Sequence, residues 1–129
     1  MKKMIFLLVM TLLCASCVND VYGPKVNKND VEVYYKPDAL KAEAQIFAEL
    51  MDSLDYGKNG VVSFQLIRDS IININMVTQD AYHTDKSLDY ALNAISLYVA
   101  MTIFEKERVQ IHLTDDTFKR KRSLEIYEK

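Results

Sequence analysis

Apolar residues recur at helical spacing through much of this chain. Leu40, Ala44, Phe47, Met51 and Leu54 fall four and three apart, and Ile46 and Leu50 widen the stripe. Lys41, Glu43, Glu49 and Asp52 occupy the other side. Pro37 blocks helix upstream, Asp38 is a good N-cap and Gly57 is a stop, so the pattern predicts an amphipathic helix over 38–56. Beyond the Gly57–Gly60 turn, Phe64, Ile67, Ile71, Ile74 and Ala81 lie near one helical face, which predicts a second helix over 63–82. A competing alternation, Ile72-Asn73-Ile74-Asn75-Met76, reads as strand. The longer helical stripe is preferred.

Leu88 to Phe104 is the most apolar stretch after residue 17, with a narrow polar side of Asp89, Asn93 and Ser96. A helix apolar around most of its circumference must be covered on several sides. It reads as the central helix of a bundle, or as a partner-docking helix presenting Leu88, Leu92, Ile95, Val99 and Ile103. Its length and the presence of Asp89 and Asn93 weigh against a membrane span. Val31, Val33 and Tyr35 alternate with polar residues, as do Val109, Ile111 and Leu113. These two segments either pair as a short β element or, for 109–113, continue a helix. Thr114 or Asp115 can cap a last helix carrying Phe118, Leu124 and Tyr127. The expected fold is therefore all-α: a small three- to four-helix bundle with at most one short β pairing.

The first residues have a different logic. Met1, Lys2 and Lys3 form a basic start, Met4 to Leu13 is apolar except for Thr11, and small residues Ala15 and Ser16 precede Cys17. This is the layout of a secretory signal. Leu13-Cys14-Ala15-Ser16-Cys17 resembles the lipobox of bacterial lipoproteins, in which a small residue precedes the cysteine that is lipidated and becomes N-terminal. Cys14 departs from the family pattern, which usually has Leu at that position. The resemblance implies cleavage before Cys17, several acyl chains on it, and stable anchoring. Val18 and Asn19, with no Asp directly after Cys17, imply sorting to an outer membrane. The expected layout is a signal over 1–16, a lipidated cysteine and tether over 17–37, and a helical domain over 38–129. A tether of that length reaches roughly 60 Å.

Composition narrows the function classes. The formal net charge is −2, and removal of Lys2 and Lys3 with the signal makes the remainder more acidic, unlike a dedicated nucleic-acid binder. Both cysteines, Cys14 and Cys17, lie at the signal junction, so no disulfide staples the domain. With three glycines there is no phosphate-cradling loop. His83 lies near Asp80 and Asp85, a pattern better explained by a solvated loop than by a metal site. Tyr34 and Tyr35 are candidates for stacking on a glycan. Lys119, Arg120, Lys121 and Arg122 form the one dense basic run, read either as a solvated face or as a contact for anionic headgroups or an acidic partner.

Asp89-Tyr90 through Ala94, Ile95, Leu97 and Tyr98 resembles the second helix of a tetratricopeptide repeat, but the preceding segment departs from that pattern and no second copy follows at a period of about 34 residues. No catalytic residues, cofactor or metal ligands are expected. The expectation is a non-enzymatic envelope lipoprotein that docks other envelope proteins or itself. Size and layout are similar to accessory lipoproteins of envelope machines such as type VI secretion assemblies. The alternatives are a periplasmic immunity protein or a surface lipoprotein that captures glycan or peptide.

Overall fold

The computed structural model describes residues 21–129, so the signal, the lipobox and Cys17 lie outside the described residues. The fold is not the all-α bundle. It is a six-stranded mixed sheet covered on one face by two helices. The strands are β1 (Lys25–Lys28), β2 (Val31–Lys36), β3 (Val62–Arg68), β4 (Ile72–Val77), β5 (Val109–Thr114) and β6 (Arg120–Tyr127), side by side in chain order. Helix α1 (Lys41–Ser53) joins β2 to β3, and helix α2 (Asp89–Thr102) joins β4 to β5. Those two strand pairs are parallel, and the other three are antiparallel.

Period-two alternation sorts the side chains. Cross-strand rows Val33–Phe64–Met76–Leu113 and Tyr35–Leu66–Ile74–Ile111 lie on the helix side and are buried. Helix α1 contributes Ala44, Phe47, Ala48 and Met51, with the Phe47 ring edge-on to Phe64 at 5.1 Å. Helix α2 contributes Leu92, Ile95, Val99 and Ala100. The β2–β3 pair runs opposite to the β4–β5 pair, yet both helices cover the same face. The two crossovers are therefore of opposite hand, and one is of the rare left-handed kind.

Several expectations are corrected. The 63–82 segment is a hairpin, not a helix. Asp69 and Ile71 close its turn, with the Asp69 carboxylate accepting from the Ile71 N–H at 3.1 Å. β-branched residues flank that turn on both strands, where they pack well on a pleated surface. The supposed terminal helix is β6, reached through a tight turn. There Asp115 Oδ1 accepts from the Thr117 N–H and hydroxyl and from the Lys119 N–H, at 2.7–3.0 Å. These donors hold the Asp115 carboxyl down at about 2. The 25–36 part of the supposed tether is the β1–β2 hairpin, with Val26, Val31 and Val33 in the core. Strand β5 pairs with β4 and β6, not with 31–35.

The sheet ends in two modest edges. Strand β1 has four residues, including Lys25 and Lys28, and β6 is charged along its length with two register irregularities against β5.

Phe64→Ala should lower the unfolding free energy by about 3–5 kcal/mol, since it removes a ring from the centre of a filled core. Urea denaturation followed by circular dichroism measures this, and a loss below 1 kcal/mol would show that the Phe47–Phe64 contact is not central.

Candidate docking surface

The sheet face away from the helices is polar but tightly organised. A chain of side-chain bonds crosses it. Gln65 donates to the Tyr22 carbonyl at 3.2 Å, Asn75 donates to Gln65 at 3.0 Å, and the Arg120 Nε donates to Asn75 at 3.1 Å. A second chain starts at Asp69, which accepts from the Asn73 amide at 3.0 Å. The Asn73 oxygen is then left to accept from His112 Nε2 at 2.7 Å, and His112 Nδ1 accepts from the Ser123 hydroxyl at 2.7 Å. Gln65, Asn73, Asn75 and His112 are all buried. Satisfying both ends of each is what makes a polar sheet face tolerable.

Ser123–His112–Asn73 has the outline of a nucleophile relay, but its chemistry points to structure. Burial, with the Arg120 guanidinium adding to it, pushes the imidazole down to about 4, and Asp69 offsets this only partly. Such an imidazole is a weak base at neutral pH. Its third member is an amide, already tied to Asp69.

At one end of this face Tyr22, Tyr34 and Phe118 pack edge to face, with ring centres 5.2–5.7 Å apart. Phe118 holds a left-handed backbone (φ 61°), unusual for a bulky residue, and thereby lays its ring over the sheet. Gly23 (φ 87°) makes the matching bend for Tyr22, and a Cβ there would collide with the Tyr35 carbonyl. Tyr34 is thus engaged by its own chain, and Tyr35 is buried in the core.

The basic run does not act as one patch. Arg122 makes a bidentate pair with Asp89, at 2.6 and 2.8 Å, and also donates to the Tyr82 and Asp85 carbonyls. It clamps the start of α2 to β6. Arg120 belongs to the polar face, while Lys119 and Lys121 are exposed. His83 bonds the Thr114 carbonyl at 3.2 Å, and no metal-holding group of His, Cys, Asp and Glu occurs among the described residues.

The stripe expected to dock a partner is turned inward. Leu92, Ile95 and Val99 are buried under α2, and Leu88 and Ile103 pack against the same core. The sheet takes this face because five large aliphatics there fill the space above β5 and β6. The expected polar side is also turned in: Asp89 meets Arg122, Asn93 is half-buried and Ser96 is fully buried.

What α2 presents to solvent is Tyr90 (89% exposed), Leu97 (42%), Tyr98 (53%) and Met101 (47%), with exposed Ala91 and Ala94 between them. No charged residue interrupts this face. Tyr98, Ala94 and Ile95 also form one wall of an open groove of about 380 Å³, whose other wall is Leu50 of α1 and Leu54 just past its end. Half-exposed Ile46 and Leu54 extend the apolar surface along α1. Contiguous apolar surface of this kind differs from singly scattered exposed apolar residues, which need no explanation. The sequence signal for it was available, since Tyr90, Ala94, Leu97 and Met101 repeat at four, three and four.

No protein-family model, curated protein or solved structure matches the chain. Among the described residues no helix is long and apolar enough to cross a membrane.

The His112 shift has a defined pH signature. The unfolded chain binds this proton near pH 6.5, whereas the native protein resists it down to about 4. Stability is therefore complete above pH 6.5 and lost as the pH falls through that window, by roughly 3 kcal/mol if the whole shift is expressed. Urea midpoints measured from pH 7 to pH 4 should fall for the wild type and much less for His112→Gln. Parallel pH profiles would remove His112 as the cause.

Proposed function

We propose that this protein is a membrane-anchored docking component of a bacterial cell envelope, and that it engages its partner through the outer face of α2 and the adjoining groove. The uncharged stripe of Tyr90, Leu97, Tyr98 and Met101 carries the docking part of this reading. Interface centres are depleted in charge and enriched in tyrosine and methionine. The residues Ala15, Ser16 and Cys17 support the anchor, because they resemble a lipobox. Lipid on Cys17 holds the domain at the membrane, where the partner is also confined, so a modest interface suffices. The role is that of an assembly accessory, without catalysis of its own.

Leu97→Asp should leave the circular dichroism spectrum unchanged, because the residue is 42% exposed, yet sharply reduce co-purification of other envelope proteins from mildly crosslinked, detergent-solubilised membranes. Recovery equal to wild type would refute the surface. Cells fed a palmitate analogue should label the wild-type chain and not Cys17→Ser. Equal labelling of both would refute the anchor.

A further inference from the structure

The turn that carries the chain from α1 into β3 contains an asparagine followed by a glycine, Asn59-Gly60. That order has a chemistry of its own. The main-chain nitrogen after an asparagine can attack the side-chain carbonyl carbon, and a glycine has no side chain to hinder the approach. The fold itself calls for glycine at 60, where φ is 133°, a conformation that other residues rarely adopt. The turn thus supplies the reactive neighbour for a structural reason.

The setting leaves this pair open to reaction and shields the others. Asn59 and Gly60 are exposed, and a Cβ built on Gly60 would meet nothing within 4 Å. The Gly60 N–H is held only by a long bond of 3.4 Å to the Gly57 carbonyl. Asn29, Asn73 and Asn75 donate their amides to Asp52, Asp69 and Gln65, whereas Asn59 makes no such bond among the described residues. Asn27 is fixed in β1 opposite Glu32, and Asn93 lies inside α2, where the helix takes up the next N–H.

We propose that Asn59 is a site of spontaneous modification, closing on Gly60 to a succinimide and opening to aspartate or isoaspartate. Hydroxide takes the Gly60 amide proton, and the nitrogen bonds to Asn59 Cγ. The side-chain nitrogen leaves as ammonia, with a proton from water. Water then opens the ring, and nothing is oxidised or reduced. Cleavage between Cγ and the Gly60 nitrogen leaves aspartate. Cleavage between the main-chain carbonyl carbon and that nitrogen leaves isoaspartate, with the chain routed through the side chain. Either product adds a carboxylate to a turn whose Gly57 packs on Asp30 and whose approach carries Asp52 and Asp55. The exposed turn absorbs the extra methylene of isoaspartate outside the core. The protein therefore gains negative charge with age at this turn while its fold persists, independently of any docking partner.

Full-length protein in detergent is held at neutral and mildly alkaline pH in water enriched in heavy oxygen. It is then digested in ordinary water and mapped by mass spectrometry, so that losses during digestion stay unlabelled. The Asn59 peptide should convert before any other asparagine, gain one heavy oxygen, and react in proportion to hydroxide concentration. Isoaspartate should accompany aspartate. The intact chain should shift by one negative charge on isoelectric focusing with an unchanged circular dichroism spectrum, and Asn59→Gln should abolish that shift. Conversion at Asn59 no faster than at Asn27 overturns the proposal. Aspartate without isoaspartate excludes the ring. Conversion in urea but not in the native protein shows that the turn protects the pair, and also overturns it.

Discussion

A central strand has two faces to satisfy, and the four central strands set most of their large apolar side chains on one of them. Gln65, Asn73, Asn75 and His112 point the other way, with Tyr34, Ile67 and Val77 among them. Only one face can recruit helices, so both crossovers return over it despite the reversal of strand direction between β3 and β4. The opposite-handed connections follow from that division. The polar face cannot rely on an apolar cover, and it answers with side chains bonded to one another from β3 to β6. A break anywhere in that lattice leaves a buried polar atom unmatched, which costs more than the bond itself contributes.

Helix α2 shows the same pressure. Its most polar strip, Asp89, Asn93 and Ser96, faces β6, where Arg122 supplies the charge that Asp89 needs. With large aliphatics filling the adjacent arc, the remaining Tyr90, Ala94, Leu97 and Met101 are left outside. The solvent face of α2 is therefore apolar by exclusion. An apolar helix surface that the parent fold leaves uncovered is a natural place for association.

The two helices were legible from the sequence because stripe, cap and stop agree at Leu40 to Leu54, and because Leu88 to Phe104 is long and apolar. The sheet was not. Phe64, Ile67, Ile71 and Ile74 fall at helical spacing by coincidence, although Phe64 and Ile74 are buried on the helix side while Ile67 and Ile71 are only half-buried. The true signal was the shorter alternation at Ile72–Met76, with Asp69 marking the turn. At 120–127 the alternation is broken by the register irregularities of β6, so Phe118, Leu124 and Tyr127 mimic a helix. Which side of α2 faces the sheet was hidden for a different reason. In a helix apolar nearly all round, periodicity identifies no inner side, and Arg122, which orients α2, lies 33 residues from Asp89. The relay through His112 was invisible because it joins three strands.

The two edges of the sheet have a consequence wherever copies of the chain meet at high density. Neighbouring copies held at high density risk stacking strand on strand into fibrils, and flat hydrophobic edges invite it. Strand β1 is too short and too rich in lysine to template such growth, and β6 is kinked by its register irregularities and studded with charge. Both edges are thereby poor templates for strand-on-strand growth.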